Sequence, residues 1–359
     1  VIDIEKFEDP GIIPDKQQII QLLSLESPDE IERLRSSAER LLLKLRGPQV
    51  YFRGLIEFSN ICRCDCYYCG IRKSNAALYR YTLNKVQIVQ SAIWCAQQGY
   101  GSVVLQSGER NDPEFVDFVE DVVTSIKNGS TSPQLPEGLG ITLSCGEQTE
   151  ESYQRWYNAG AHRYLLRIES STPALFASLH PPYQKLQTRI AALKSLKKIG
   201  YKVGTGVMIG LPGQTLENLA DDILFFKEID ADMIGMGPYI VHNATPMVHY
   251  KDEIALQYGK IFSLSQKMIA VTRLTLKNVN IAASTALQAM KEDGRETGLT
   301  FGANVIMPQV TPVEVRKNYL LYEGKPCLDE NAEQCRTCLS LRVASVGRTI
   351  AYNNWGDRC

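Results

Sequence analysis

The chain has 359 residues, 44% hydrophobic and 22% charged, which is ordinary globular composition with apolar surface for one large core. Its 39 Lys and Arg against 40 Asp and Glu leave a formal net charge of −1, and no basic run is long enough for a nucleic-acid or membrane patch, so a small-molecule substrate is expected. No apolar run approaches the roughly 20 residues of a membrane span, and Val1 to Gly11, acidic with a Pro-Gly pair, lacks the basic start and apolar core of a signal peptide; a soluble, cytoplasmic protein is expected, and a monomer, because no coiled-coil seam stands out.

From Asp15 to Leu45 apolar residues recur at helical spacing (Ile19, Ile20, Leu22, Leu23, then Ile31, Leu34, Leu41, Leu42), broken by Ser27-Pro28, which predicts a helical cap over residues 1–48. Eight apolar runs of strand length follow: Val50 to Phe58, Ser102 to Gln106, Gly140 to Ser144, Arg163 to Arg167, Gly206 to Ile209, Met233 to Met236, Asn280 to Ala282 and Asn304 to Met307. Between them amphipathic stretches predict helices at Lys85 to Gln98, Pro113 to Lys127, Glu150 to Asn158, Gln187 to Ile199, Thr215 to Ile229 and Lys260 to Leu276, with shorter ones after strands seven and eight. Eight β-then-α units without a composition break predict an α/β fold, a complete (β/α)8 TIM-type barrel over 49–310, followed by a C-terminal extension over 311–359. A doubly wound open sheet with an accessory domain is the structural alternative. Ser125 to Gly138, rich in Gly, Ser, Thr and Pro, reads as an exposed insertion before strand three.

Seven of the ten cysteines fall into two groups, Cys62/Cys64/Cys66/Cys69 and Cys327/Cys335/Cys338, while Cys95, Cys145 and Cys359 stand alone. In a reducing compartment such clustering points to metal or iron–sulfur ligation rather than disulfides. The first group contains Cys-x3-Cys-x2-Cys directly after strand one. Three thiolates can hold three irons of a cubane and leave a fourth open to a ligand, whereas four cysteines close the site. An open iron can chelate the amino and carboxylate groups of S-adenosylmethionine (SAM). That spacing in that place resembles the radical SAM superfamily signature, with Cys62, Cys66 and Cys69 on a [4Fe-4S] cluster and Tyr68 beside the adenine. Cys64 offers alternative spacings and is treated as a non-ligand; a zinc knuckle or unrelated thiols are the plain alternatives.

The ends of the other strands carry groups suited to the rest of SAM, on the face where barrel active sites lie. Ser107-Gly108-Glu109 after strand two resembles the Gly-Gly-Glu motif that receives the methionine amino group. Glu169 after strand four offers a carboxylate, and Arg189 can meet the SAM carboxylate bidentately. The glycine-rich turn from Gly206 to Thr215, with Met208, Gly210 and Leu211, lets backbone approach the adenine. Taken singly, Glu169 and Arg189 could equally be a surface or packing pair.

The stretches IEFSNICRCDCYYCGIRKSN, VVLQSGE, ITLSCGE, RYLLRIESS, GVMIGLPGQT, GMGPYIVHNATP and GANVIMPQVTP resemble the [FeFe]-hydrogenase maturases of the HydE family, in the biotin-synthase-like subgroup. The resemblance implies a role in building the diiron organometallic centre of the hydrogenase H-cluster from a cysteine-bound iron complex. It also implies other maturases and a low-potential electron donor as partners. It places Thr142 and Ser144 beside the cofactor, and Arg163, Arg167, Ser284, Thr285, Met307, Tyr319 and Tyr322 around a substrate cavity. Arg163 could instead be a barrel-bottom ion pair, Met307 core filling and the tyrosines packing. Cys327-x7-Cys335-x2-Cys338 resembles the accessory site of some members, which implies a second [2Fe-2S] or [4Fe-4S] cluster, with zinc or free thiols competing.

Biotin synthase shares fold and cofactor, but strands two and five carry Val103, Val104, Val207, Met208 and Ile209 where sulfur-donating chemistry needs cysteines. Methylornithine synthase, a mutase on an amino acid, is nearer, and the C-terminal triad is the main feature against it. A non-catalytic iron–sulfur or zinc protein is the alternative from another class.

Overall fold

The computed structural model describes residues 2–358; Val1 and the solitary Cys359 lie outside them. Two helices open the chain, α1 (Lys16–Leu23) and α2 (Pro28–Arg46). Asp15 and Gln18 form a capping box on α1, and Pro28 fills the first turn of α2, where its missing N–H costs nothing. Their apolar faces, including Ile19, Leu22, Leu34 and Leu41, are buried in the main core.

After the cap come β1 (Gln49–Ser59), α3 (Lys85–Gln97), β2 (Ser102–Ser107), α4 (Pro113–Gly129), β3 (Gly140–Ser144), α5 (Glu150–Asn158), β4 (Arg163–Leu165), α6 (Pro173–Leu179), α7 (Leu186–Ile199) and β5 (Lys202–Thr205). Next follow β6 (Met208–Ile209), α8 (Leu216–Glu228), β7 (Met233–Ile234), β8 (Gly237–Pro238), α9 (Lys251–Leu256), α10 (Tyr258–Leu276), β9 (Asn280–Ile281), α11 (Thr285–Met290), α12 (Gly294–Thr300) and β10 (Val305–Ile306). The extension adds α13 (Val313–Arg316), α14 (Ala332–Ser345) and β11 (Thr349–Ile350). No helix among the described residues is long and apolar enough to cross a membrane.

The parallel strands run β10-β1-β2-β3-β4-β5-β7-β9. A parallel bridge from Ala282 to Val305 joins the last to the first, with the Asn304 N–H donating to the Ile281 carbonyl at 2.9 Å. The eight βα units thus form the expected barrel. Every residue of β1 except Gln49 is buried, because helices cover one face and the barrel interior the other. Val50, Phe52, Ile56 and Phe58 join the core under the helices, and a Cβ on Gly54 would lie 2.4 Å from Cys95 Sγ on α3. The alternate residues face inward: Arg53 reaches Met233 across the barrel, and Glu57 accepts a hydrogen bond from Gln309 (2.7 Å) and pairs with Lys325.

Strand five lies earlier than its sequence suggests. Lys202–Thr205 pairs with β4 and β7, while Met208–Ile209, inside the expected run, pairs only with β8 in a second tier at the C-terminal mouth. Gly206 allows the step between tiers, since a Cβ there would sit 1.9 Å from the Gly235 carbonyl oxygen. Ser125 to Gly138 is not wholly an exposed insertion: α4 continues to Gly129, and Ser130 and Leu135 are buried. Helix α6 and strand β11 carry no strong periodicity in the sequence. β11 lies parallel to the start of β1, Gln49 opposite Thr349, and the residues after it pack across the barrel floor.

Candidate active site

β1 leads directly into the cysteine loop, which side chains aimed at backbone hold in shape. Asn60 donates to the carbonyls of Tyr79 (2.8 Å) and Asn318 (2.7 Å) and accepts from the Tyr81 N–H (2.8 Å). Arg80 donates to the carbonyls of Asn60, Ile71 and Arg72 at 2.6, 2.8 and 2.6 Å. Gly70 must be glycine, because a Cβ would lie 2.0 Å from the Leu320 carbonyl oxygen.

From this loop Cys62, Cys66 and Cys69 present partly buried thiols close enough that the charges of Cys62 and Cys66 both act on Cys69. Burial pushes the Cys66 thiol up to about 12 and holds Cys69 well above the ordinary thiol range. Metal must therefore displace their protons, and cluster loading is coupled to proton release. Cys62 Sγ accepts the Glu109 N–H at 3.3 Å, and a hydrogen bond from Cys64 draws its pKa down. Cys64 is buried; its bond to Cys62 raises its pKa, and its thiol donates to Glu109 Oε1 at 3.2 Å.

Gly108 lets the turn after β2 press on the loop: its N–H donates to Ser59 at 2.8 Å, and a Cβ would lie 2.4 Å from the Ile61 carbonyl oxygen. The Ser107 hydroxyl donates to the Gly108 carbonyl at 2.8 Å. The buried Glu109 carboxylate accepts from Arg63 (2.9 Å) and from the Glu147 N–H (2.7 Å). Glu147 in turn pairs with Arg189, whose Nη1 donates to the Arg167 carbonyl at 2.6 Å. Burial opposes the Arg189 charge, but Glu147 outweighs it and holds the guanidinium protonated. Arg167 grips Glu169 with two bonds of 2.9 Å. Glu169 sits at φ 62, a left-handed conformation that costs a non-glycine residue about 1–2 kcal/mol and tends to be kept where function needs it. One polar chain therefore runs from Cys64 through Glu109, Glu147 and Arg189 to Glu169.

Beside it lies an apolar cluster of Met208, Leu211, Leu175, Leu179 and Tyr239, with Tyr67 and Tyr68 packed against it. Tyr68 meets His180 edge-on at 5.6 Å. Gln214 ties the Gly210 turn by accepting from the Gly210 N–H (2.7 Å) and donating to the Met208 carbonyl (3.0 Å). Apart from Thr142 and Ser144, the cofactor-side residues named from sequence come together in two neighbouring patches, one polar and one apolar.

The cavity residues divide. Ser284 and Thr285 follow β9 at the mouth, and Tyr322 senses both Arg167 and Arg295. Arg163 does not belong with them, as its guanidinium is spent on the barrel floor, bonded to Asp357 (2.6 Å), Ser102 (2.9 Å) and the Trp355 carbonyl (2.6 Å). Thr142 pairs in register with Arg163 and is buried low in the barrel, while Ser144, two residues on, stands nearer the mouth. Met307 packs with Tyr51 and Val305. Tyr319 is 1% exposed, with the Lys325 ammonium 5.4 Å from its ring, so it backs the cysteine loop and does not line open space.

Sequence reasoning missed Asn60, Arg80, Glu147 and Gln184, whose amide lies 3.6 Å from Cys66 Sγ. Glu147 had a signal: Gly108-Glu109 after β2 is echoed by Gly146-Glu147 after β3. In the C-terminal group the Cys327 and Cys335 thiols are hydrogen-bonded to each other, and Cys338 Sγ accepts from Arg342 Nε at 3.4 Å. Cys145 is fully buried, with its thiol pushed up to about 12 by burial.

Residues 56–226 match the radical SAM superfamily. The chain is 41% identical over 344 residues to the [FeFe] hydrogenase maturase subunit HydE of Thermotoga maritima, covering 96% of this chain and 93% of that protein. The chain belongs to the HydE family. It is a radical SAM enzyme, and its cofactors are a [4Fe-4S] cluster and SAM. A 3-methylornithine synthase of Methanosarcina acetivorans is 28% identical over 83% of this chain and 81% of its own. Among solved structures, methylornithine synthase (PylB) superposes with a TM-score of 0.81 at 24% identity, covering 98% of both chains. The [FeFe]-hydrogenase maturase HydG gives 0.77 at 18% identity, covering 97% of this chain and 75% of that one; both likenesses establish the barrel fold. The cysteine loop fits the cluster, with three thiols on one braced loop and a glycine at the point of closest approach, and the polar and apolar patches beside it suit the two halves of SAM.

Proposed function

We propose that this HydE-family enzyme acts in [FeFe]-hydrogenase maturation, in assembly of the diiron centre of the H-cluster, with an iron–cysteine complex as substrate. The relationship to the Thermotoga maritima protein over nearly the whole of both chains carries this reading. Bound at this site, the cluster and SAM supply a 5′-deoxyadenosyl radical by reductive cleavage.

The chain's own residues divide the work as follows. Cys62, Cys66 and Cys69 hold the cluster. Ser107, Gly108 and Glu109 meet the methionine amino group, Arg189 its carboxylate and Glu169 the ribose. Tyr68, Met208, Gly210 and Leu211 flank the adenine. Glu147, by pairing with Arg189, keeps the guanidinium aimed before SAM arrives, so less orientation is lost on binding. Arg167, Ser284, Thr285 and Tyr322 offer donors to an anionic complex, and the closed barrel floor keeps bulk water from a reactive carbon centre. The chain is organised as cap (1–48), barrel (49–310) and extension (311–359). Cys327, Cys335 and Cys338 take an accessory iron–sulfur cluster. The enzyme works in the cytoplasm beside other maturases and a low-potential electron donor.

The test is anaerobic reconstitution with iron and sulfide, reduction, and measurement of 5′-deoxyadenosine, followed by supply of the product to hydrogenase maturation in vitro. Cleavage lost in Cys62→Ala, Cys66→Ala and Cys69→Ala, together with hydrogenase activity that depends on the wild-type enzyme, supports the reading. Cleavage coupled instead to rearrangement of a free amino acid would favour the mutase chemistry of the methylornithine synthases.

A further inference from the structure

Asp222, on α8, is 0% exposed, and both hydrogen bonds to its carboxylate come from one residue: Oδ1 accepts from the Ser171 N–H at 2.7 Å and from the Ser171 hydroxyl at 2.6 Å. Its Oδ2 is buried without a partner. Other buried carboxylates are better served. Asp232 faces Lys197 at 2.8 Å and the Val203 N–H at 2.8 Å, and Glu57 pairs with Lys325. A carboxylate taken out of water with only a serine to face costs stability that an apolar residue of its size would not, so the fold alone does not account for Asp222.

What Asp222 grips is the short segment between β4 and α6 that carries Glu169. The left-handed backbone of Glu169, φ 62, costs about 1–2 kcal/mol and persists only where the surroundings hold the chain on either side of it. On one side the hold comes from the strand-five tiers: the Ile168 N–H donates to the Thr205 hydroxyl at 3.1 Å, the Glu169 N–H to the Gly206 carbonyl at 3.0 Å, and the Met208 N–H to the Glu169 carbonyl at 3.3 Å. On the other side only Ser170, Ser171 and Thr172 separate Glu169 from α6. The Ser170 hydroxyl is spent locally, accepting from the Thr172 N–H at 3.2 Å, whereas Ser171 is fastened twice to Asp222. Helix α8 is itself fixed where it leaves the glycine-rich turn, by a capping box between Thr215 and Asn218. Asp222 therefore ties the polar patch to the helix that follows the apolar one.

We infer that Asp222 is a positioning residue for Glu169: by holding Ser171 from α8 it keeps the Glu169 backbone in its left-handed turn, with the carboxylate preset for the ribose hydroxyls before SAM arrives. This rests on the reading of Glu169 as the group that meets the SAM ribose. The role requires the acceptor at Oδ1 and not the charge, so asparagine preserves it and leucine removes it. Loss of hydrogen bonds to a charged acceptor changes an equilibrium by about tenfold or more, and here the loss reaches SAM only through Glu169.

The experiment uses the full chain, reconstituted anaerobically with iron and sulfide, and reads SAM affinity by calorimetry at matched iron content. The inference expects Glu169→Ala and Asp222→Leu each to bind SAM about tenfold more weakly, and Asp222→Asn to stay within about threefold of the parent. Because Asp222 acts through Glu169, the double variant should bind within about twofold of Glu169→Ala alone. Near-ultraviolet circular dichroism confirms that each variant is folded. Should Asp222→Leu not fold, Ser171→Ala, which deletes the 2.6 Å bond and leaves α8 untouched, takes its place in the same cycle, with a loss of about threefold or more expected. Parent affinity in the folded single variant, or losses that multiply in the double variant, would overturn the role of Asp222. Parent affinity in Glu169→Ala would instead show that Glu169 does not meet the ribose, and the inference fails with that reading.

Discussion

Replacing Gly108 with alanine tests how closely the turn after β2 is fitted to the cluster loop. The added methyl would lie 2.4 Å from the Ile61 carbonyl oxygen and 2.8 Å from Cys62 Cβ, so the two segments must separate by about half an ångström or more, at a cost of about 1–3 kcal/mol. Neither side yields easily. The Gly108 N–H is bonded to Ser59, and the Arg63 N–H to the Glu109 carbonyl at 2.9 Å, so the displacement falls on Cys62, beside the clash, while the backbone just after Cys69 stays held by Arg80 through the Ile71 and Arg72 carbonyls. A site held to about half an ångström loses function when one ligand moves that far. Reconstituted Gly108→Ala should therefore show a lower urea midpoint, reduced N-terminal iron and sulfide per chain, and 5′-deoxyadenosine formation slowed by at least about tenfold. Ser107→Gly, which removes only a hydroxyl bonded to the neighbouring carbonyl, should load iron normally. Full iron content and an unchanged cleavage rate in Gly108→Ala would refute the reasoning.

Cys64→Ala should keep full cluster content and most of the cleavage rate, because its thiol bonds Glu109 and Cys62; loss of iron equal to that of Cys66→Ala would make it a ligand. Asp357→Asn should lower stability by about 3 kcal/mol in urea denaturation by leaving Arg163 without its carboxylate, yet leave SAM affinity by calorimetry unchanged, since the barrel floor is remote from the cysteine loop. Asp222 is fully buried, with one carboxylate oxygen unpartnered, and burial raises its pKa to about 6. Because the native state holds this proton more tightly than the unfolded chain, stability falls as pH rises from about 4 to about 6, by about 3 kcal/mol for the two units involved. The urea stability of Asp222→Asn should accordingly gain on the parent across that interval and run parallel to it above; parallel curves throughout would refute the assignment.

The barrel was legible because its strands are buried on both faces and read as apolar runs, and because Asp15, Asn84, Asp112, Thr149 and Thr215 cap the helices that follow them. Strand five was misplaced for a local reason: Gly206-Val-Met-Ile is the more apolar run, but Tyr201-Lys-Val-Gly-Thr carries the main ladder, and only tertiary packing tells one tier from the other. The cysteine loop was legible from spacing alone. Arg163 was not, because an inward-facing arginine on a barrel strand looks the same at the floor as at the mouth until the segment from Trp355 to Asp357 is seen closing over it. Asn60 and Arg80 escaped notice because residues that bind backbone carbonyls leave no periodic trace.

The floor also bears on the order of events during synthesis. β11 pairs with the start of β1 across 300 positions, Gln49 opposite Thr349, and Trp355 and Asp357 then bond to Arg163 and Ser102. A ribosome must release everything through Ile350 before the first strand gains this neighbour, and through Asp357 before Arg163 gains its carboxylate. Until then Arg53 and Arg163 line an open, hydrated end, so the growing chain can form βα units in sequence but cannot complete its interior. Contacts this distant in sequence are slow to find, so the sealing of the end opposite the chemistry waits on the final residues of the chain.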